Sequence, residues 1–190
     1  MSTSASGRAP QSFGGKSSLS RAGSLSLTMR RCISHPLPLG ILLLLILCGC
    51  GKRFRNESSS MSPTIQKGEI VYVDASAYKT ASPGRWDVVV FTHPIRQTLW
   101  CARVVGLPGE IIAIEGQGVS INGSVQTQPD GIKSIKYLSS VPDLPATVTF
   151  PYTIAAGSYF VLGDNSANAY DSRFWGTVPL ANITGRVKGK

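Results

Sequence analysis

The chain has 190 residues, a formal net charge of +9 and 42% hydrophobic residues, which predicts one modest domain with extensions. Its first 55 residues contain eight basic and no acidic residues, whereas the remainder contains eleven basic and ten acidic residues. A nucleic-acid-binding protein is expected to carry its basic patch on the folded domain. This distribution therefore argues against nucleic acid as a partner and favours a membrane.

Two segments precede the predicted domain. Residues 1–28 are rich in Ser, Gly, Ala and Arg, which is typical of a disordered tail, and Met29 is an alternative start of the chain. Residues 29–50 combine a positive Arg30-Arg31 pair with an apolar run from Leu39 to Leu47. Because that run is shorter than the roughly 20 residues that a transmembrane helix needs, we interpret it as a secretory signal.

The end of the apolar run, Leu47-Cys48-Gly49-Cys50, resembles a bacterial lipobox. The last cysteine of a lipobox is lipidated and becomes the mature N-terminus, which makes Cys50 the expected lipidation site. The alternative interpretation is a short signal anchor that ends in two cysteines. Both interpretations place residues 51–190 at a membrane and outside the cytoplasm.

The cysteines and histidines predict neither a disulfide framework nor a metal site. Of the four cysteines, only Cys101 falls within the predicted domain. The two histidines, His35 and His93, do not belong to a cluster with metal-ligand spacing. No metal and no other cofactor is expected.

Residues 51–190 are predicted to form a mainly β domain with few short helices. Runs of β-branched residues bounded by Gly, Pro and Asp predict strands, and they fall at 70–73, 88–91, 104–105 and 159–162. Asn122-Gly123, between two further β-branched segments, predicts a tight hairpin. A short helical turn is expected near residues 180–183, and residues 126–150 are expected to form a looping insertion between strands.

Four stretches of this domain fall into one order. They are SSSMSPT (58–64), GEIVYVD (68–74) followed by GRWDVVVF (84–91), ARVVGLPGE (102–110) and GDNSANAYDSRFWG (163–176). Together they resemble the bacterial type I signal peptidases, membrane-bound serine proteases that use a Ser-Lys dyad. The resemblance covers roughly residues 54–187 and implies the twisted antiparallel sheets of the signal peptidase I catalytic core.

The resemblance gives Ser60 the position of the nucleophile. It also makes Ser58 a donor of the oxyanion hole, together with the backbone N–H of Ser60. Fixed donors aimed at the developing oxyanion supply much of acyl-transfer catalysis, whereas hydroxyls in an ordinary loop only bond its backbone. Five further residues match family positions near the site, and their implied role is to hold the site loops through charge-assisted hydrogen bonds: Arg103, Asp164, Asp171, Ser172 and Arg173.

The general base of the family is missing from this chain. In the family, a lysine directly before the Arg-x-Val-Gly-x-Pro-Gly element removes the proton from serine, because burial lowers its pKa and leaves it neutral. Here Ala102 occupies that position, and Ala169 occupies the position of a family serine that orients the lysine. The base and its orienting partner are therefore both replaced by methyl groups.

No nearby residue is predicted to replace the lysine. Cys101 is adjacent, but neighbouring residues of a strand point to opposite faces. His93 precedes Pro94 near a predicted hairpin tip and is expected to be a surface residue. The nearest lysines fall in predicted loops: Lys79, Lys133 and Lys136.

The predicted peptide-binding side also departs from the family. Phe54 matches an apolar family position. Asn56 and Glu57, however, replace an apolar residue and a proline that line the pockets for small side chains before the cleavage site. Trp86 replaces a common glycine in the second stretch.

Two functions follow from these residues. The first is a membrane-attached serine endopeptidase that cleaves signal peptides from exported preproteins. The second is a catalytically impaired homologue that binds extended peptides or a membrane partner, and the alanines at 102 and 169 favour it. In both, signal peptides and the lipid bilayer are the expected partners, and the domain lies on the extracytoplasmic face of the cell membrane.

The lipobox interpretation predicts that the mature protein begins at Cys50 and carries acyl chains. Mass spectrometry of the membrane-extracted protein measures both. An unmodified peptide that runs through residues 29–60 would instead identify a signal anchor.

Overall fold

The computed structural model describes residues 51–141, 144 and 147–190. The predicted tail at 1–28 and the predicted signal segment at 29–50, with Cys50, lie outside the described residues. The described part consists mainly of two antiparallel sheets, which confirms the mainly β fold with few short helices. Within these residues, no helix is both long and apolar enough to cross a membrane.

The larger sheet has seven strands and carries the candidate site. Its strands are β1 (Lys52–Arg55), β2 (Ile70–Asp74), β3 (Val88–Thr92), β4 (Leu99–Gly106), β9 (Ser158–Leu162), β10 (Val178–Pro179) and β11 (Ile183–Val187). They are hydrogen-bonded in the order β1-β2-β11-β3-β4-β9-β10. Every pairing is antiparallel.

The smaller sheet contains β5 (Ile111–Glu115), β6 (Gly118–Ile121), β7 (Ser124–Val125) and β8 (Tyr152–Thr153), in the order β7-β6-β5-β8. Asn122 and Gly123 connect β6 to β7 with φ values of 49° and 80°, the left-handed pair that a two-residue hairpin requires. The predicted hairpin is therefore confirmed.

The helical content is small, as predicted. Among the described residues, one α-helix, α1 (Ser172–Trp175), lies within the last motif, and 3-10 turns lie at Asp130–Ile132, Ser166–Asn168 and Leu180–Asn182. The turn at Leu180–Asn182 matches the helical turn expected near 180–183. The strands predicted from β-branched runs are also present, as parts of β2, β3, β4 and β9.

The strands β3 and β4 lie in the middle of the larger sheet and are covered on both faces. Val90 and Cys101 pack on one side, in a cluster with Met61 and Ile65. Phe91 and Ala102 pack on the other side, in a cluster that includes Val161. Consecutive residues of β4 therefore enter different clusters, so Cys101 and Ala102 point to opposite faces as the pleat requires.

Candidate functional site

The candidate nucleophile lies in the loop between β1 and β2, and Asn56 holds that loop in shape. The Asn56 side chain is buried, and its Nδ2 donates to the carbonyl oxygens of Ser58 at 2.9 Å, Ile65 at 3.3 Å and Gln66 at 3.2 Å. Met61 and Ile65 are fully buried and anchor the same loop in the core. The polar residue at position 56 thus fixes the backbone that presents Ser60.

The hydroxyl groups of Ser58 and Ser60 are hydrogen-bonded to each other, with 2.7 Å between their Oγ atoms. The backbone N–H of Ser60 donates to Ser58 Oγ at 3.3 Å. The two predicted oxyanion donors therefore lie side by side at the candidate nucleophile. An oxyanion bound here would replace Ser58 Oγ as the acceptor of the Ser60 N–H.

Ser60, Ala102 and Ala169 line one small cavity of about 10 Å³. Both alanines are buried, with 5% and 4% of their surfaces exposed. A cavity of this size has room for about one water molecule. The structure thus brings together three positions that are widely separated in the sequence, although their catalytic roles remain predictions.

Gly163 allows the loop after β9 to approach Ser60 closely. A Cβ atom at this position would lie 2.6 Å from the carbonyl oxygen of Ser60 and 2.5 Å from the Ala169 Cβ, which is closer than packed atoms tolerate. The backbone N–H of Asn165 donates to the Ser60 carbonyl oxygen at 2.9 Å. The last motif is therefore joined to the nucleophile loop directly through the backbone.

A buried ion pair fixes the same loop to β4. Arg103 Nε donates to Asp164 Oδ1 at 2.8 Å, and its Nη2 donates to Asp164 Oδ2 at 2.6 Å. The hydroxyl of Thr64 also donates to Asp164 Oδ2. This bidentate pair, a geometrically specific arrangement, connects β4, the nucleophile loop and the loop after β9.

A second buried ion pair joins two residues of the last motif, Asp171 and Arg173. Arg173 donates from Nε to Asp171 Oδ1 at 2.7 Å and from Nη2 to Asp171 Oδ2 at 2.9 Å. The Gly163 N–H donates to Asp171 Oδ2 at 3.0 Å, and the Val161 N–H donates to Ser172 Oγ at 3.0 Å. These contacts join Asp171, Ser172 and Arg173 to β9 and to the loop after it, while the scaffold role that the resemblance implies for them stays a prediction.

Two titratable groups that line the cavity are poor candidates for a base. Both carboxylate oxygens of Asp171 accept the hydrogen bonds just described. Burial raises the pKa of the Cys101 thiol to about 12, so this thiol stays protonated and cannot accept a proton near neutrality. Cys101 does line the cavity, although its side chain packs with the opposite core cluster.

The expectation that His93 is a surface residue is wrong. His93 is only 1% exposed, because its ring packs against Trp100 and Trp175 with centroid distances of 4.4 and 4.7 Å. Its Nδ1 accepts the backbone N–H groups of Ile95 and Arg96, each at 3.1 Å.

The bonding of Nδ1 assigns the remaining proton of neutral His93 to Nε2. Nε2 has no hydrogen-bond partner in the described residues. Burial, and secondarily the Arg96 charge, lowers the pKa of His93 below its usual value. The free acceptor that a general base needs is therefore absent from this imidazole.

The backbone of Trp86 adopts a conformation that suits the glycine which the family resemblance leads one to expect at this position. Its φ is 75°, a left-handed conformation that glycine adopts without steric cost and that strains a bulky residue. Trp86 still accepts a hydrogen bond from Arg103 Nη1 on its carbonyl oxygen at 2.8 Å. The backbone at Trp86 thus helps to hold Arg103, the partner of Asp164.

A groove of about 200 Å³ reaches the two serines from the side. The residues that line it are Phe54, Asn56, Glu57, Ser58, Ser60, Leu99, Trp100 and Cys101. Within the described residues, β1 pairs only with β2, and the segment from Leu99 to Ala102 pairs only with β3, because the pairing of β4 with β9 begins at Arg103. Two open strand edges therefore border the groove.

Two hydrogen-bonded serine hydroxyls beside a groove with open strand edges, on a mainly β scaffold, form an arrangement that suits a serine peptidase. The family model described as signal peptidase, peptidase S26, matches residues 29–189. The chain therefore belongs to the signal peptidase family.

Individual relatives agree with this assignment. The chain is 36% identical over 138 residues to a signal peptidase I of Leptolyngbya laminosa, covering 68% of this chain and 63% of that protein. It is 33% identical over 143 residues to signal peptidase I V of Bacillus subtilis strain 168, covering 70% and 82%. The chain thus spans slightly less than two thirds of the Leptolyngbya protein. A crystal structure of a signal peptidase I from Enterococcus faecalis V583 has a TM-score of 0.46 at 30% identity, covering 55% of this chain and 96% of that one.

The buried Arg103–Asp164 pair predicts a large stability cost for Asp164→Asn. Removing the charge leaves Arg103 buried without its partner, and breaking a pair in this way costs about 3–5 kcal/mol. Denaturant unfolding of the wild type and the variant measures this difference in the free energy of unfolding. Asp130→Asn is the matched control, because the Asp130 side chain is 92% exposed, and equal unfolding midpoints for the two variants would contradict the prediction.

The lowered pKa of His93 predicts a loss of stability in weak acid. The unfolded chain binds a proton near the ordinary histidine pKa of about 6.5, whereas folded His93 binds one only at lower pH. Its stabilising contribution is therefore complete above about pH 6.5 and decreases as the pH falls towards the folded pKa. The difference in unfolding free energy between wild type and His93→Gln should shrink between about pH 7 and pH 5, whereas parallel pH curves would show that His93 does not titrate in this range.

Proposed function

We propose that this protein is a membrane-attached, signal peptidase I-like protein that binds signal peptides of exported preproteins but hydrolyses them slowly or not at all. The observation that carries the proposal is the cavity beside Ser60, which Ala102 and Ala169 line with methyl groups. The family resemblance assigns these two positions to the base and its orienting hydroxyl. The apolar run at residues 39–47 and the lipobox-like Cys50 support attachment with the domain on the extracytoplasmic face.

The groove supports binding of an extended peptide. The open edges of β1 and of the first half of β4 present backbone N–H and C=O groups that lack strand partners in the described residues. A peptide in extended conformation satisfies such groups by adding a strand, and side-chain pockets then provide specificity. Ser58 and Ser60 line this groove, so a bound peptide passes directly beside the hydroxyls.

Cleavage requires a group that takes the proton from Ser60 as its oxygen attacks the peptide carbonyl. A positioned general base contributes about 10²–10⁴-fold to such a reaction. The Ser58 hydroxyl contacts Ser60, but it lacks the basicity to hold the proton. Asp171 is bonded to Arg173 and Gly163, Cys101 is protonated, and the acceptor nitrogen of His93 is occupied.

The donors that the resemblance assigns to the oxyanion hole, the Ser58 hydroxyl and the Ser60 N–H, lie beside the Ser60 hydroxyl. In serine hydrolases that lack a triad member, these donors and binding together leave roughly 10³–10⁴-fold catalysis over water. Amide hydrolysis in water is so slow that an acceleration of this size leaves little turnover. Peptide binding with weak catalysis is thus the function that the site supports best.

Efficient cleavage is the second candidate function. The retained Ser58–Ser60 hydroxyl pair favours it. It requires a base that another chain or the substrate brings to the cavity.

A cleavage assay with the purified protein in detergent and a signal-peptide substrate tests the proposal. The wild type should cleave at a rate close to that of Ser60→Ala, while both proteins bind the substrate. Robust cleavage that disappears in Ser60→Ala would establish the second candidate instead.

Restoring the missing groups should restore activity. Ala102→Lys supplies a base and Ala169→Ser supplies the hydroxyl that orients it. The double variant should therefore gain more activity than the two single variants together, because residues that act on one another are not additive.

The size of the cavity limits this experiment. A space of about 10 Å³ does not hold the four additional heavy atoms of lysine without displacement. Overpacking of this kind costs about 1–3 kcal/mol, so unfolding must be measured beside the rate. A stable double variant that binds peptide and remains inactive would contradict the assignment of Ala102 as the vacant base position.

A further inference from the structure

The groove beside Ser58 and Ser60 carries one negative charge, the carboxylate of Glu57, among otherwise uncharged lining residues. Of the eight residues that line it, Glu57 alone carries a charged side chain. The remainder are apolar, aromatic or small and polar residues. We infer that Glu57 makes the groove select peptides with a basic side chain, an inference that rests on the proposed peptide binding.

The local fold places Glu57 at the rim of the groove. Asn56 is buried and its amide is committed to three carbonyl oxygens of the loop. The next residue, Glu57, points outwards, and 75% of its side chain is exposed. A carboxylate at this place is within reach of a peptide that lies along the edge of β1.

The walls next to Glu57 suit the stem of a long basic side chain. Phe54 and Leu99 belong to opposite borders of the groove, and Trp100 lies beside Leu99. Lysine and arginine pack their methylene stems on apolar surface while the charged head stays in a polar environment. The groove offers apolar walls for the stem and one carboxylate for the head.

Arg55 competes with a basic side chain of a bound peptide for the carboxylate of Glu57. Its Nε lies 3.2 Å from Glu57 Oε1, and 64% of its side chain is exposed. Exposed ion pairs of this kind contribute little free energy to stability, because water and salt screen the two charges. A basic side chain of a bound peptide can therefore replace Arg55 at Glu57, and removing Arg55 should strengthen the selection.

Glu57 thus determines specificity at the groove and takes no part in the chemistry at Ser60. An acidic peptide side chain at the same place meets a like charge. Since exposed charge pairs are weak, the dissociation constants of matched basic and acidic peptides should differ by about two- to fivefold.

Fluorescence anisotropy with matched peptides tests the inference. The probes are short, labelled, alanine-rich peptides in which one residue at a time is Lys, Gln or Glu, and the full-length protein is used in detergent. The wild type should bind the Lys peptide more tightly than the Gln peptide, and the Gln peptide more tightly than the Glu peptide, at one or more positions. The difference should shrink at high salt.

Variants assign the preference to Glu57 itself. Glu57→Gln should abolish the difference between Lys and Glu peptides, Glu57→Lys should invert it, and Arg55→Gln should enlarge it. Glu115→Gln is the matched control, because Glu115 is an exposed glutamate on β5 in the smaller sheet. It should keep the wild-type ratio.

The outcomes separate the two proposals. If the Gln peptides bind but charge has no effect, or if the preference survives in Glu57→Gln, the inference about Glu57 is overturned and peptide binding stands. If none of the peptides binds, the proposed function fails and the inference fails with it.

Discussion

The buried ion pair between Arg103 and Asp164 is the interaction on which the rest of the site depends. It joins β4, which carries position 102, to the loop after β9, which leads to position 169, and Thr64 of the nucleophile loop bonds to the same carboxylate. Burying two charges is expensive unless they are paired and fully hydrogen-bonded. Here the cost is offset by bidentate geometry, so three segments distant in sequence meet in one arrangement.

This scaffold does not depend on the side chains at positions 102 and 169. Arg103, Asp164, Asp171 and Arg173 bond to one another, to the backbone and to the hydroxyls of Thr64 and Tyr137, and none of these bonds involves the side chain at position 102 or 169. Alanine at these two positions is therefore compatible with the intact scaffold.

The sequence was sufficient for the elements that rest on local patterns. The β-branched runs identified parts of β2, β3, β4 and β9. Asn122-Gly123 identified the hairpin, because both residue types tolerate the left-handed backbone that the turn requires. It was insufficient for β1, whose residues Lys52–Arg55 are mostly charged, because that strand is defined by its partner β2. The ordered motifs indicated which residues meet at the site.

His93 shows what the sequence could not reveal. A histidine before a proline at a hairpin tip has no local feature that predicts burial. It is buried because Trp175, more than 80 residues later in the sequence, packs against its ring together with Trp100. The role of Asn56 was hidden for the same reason, since its three carbonyl partners are brought together only when the loop closes.

Peptide binding and catalysis require different features of this fold, and the described residues provide those for binding more fully than those for catalysis. Binding an extended peptide needs open strand edges and a groove, which depend on backbone pairing and survive many side-chain changes. Catalysis needs a general base within hydrogen-bonding distance of the hydroxyl, and under the proposed function Ala102 and Ala169 do not supply one. Glu57 adds a third element, because it changes which peptide the groove accepts without touching Ser60. Under the proposed function, the open strand edges and the charge at the rim of the groove serve to select a peptide rather than to cut it.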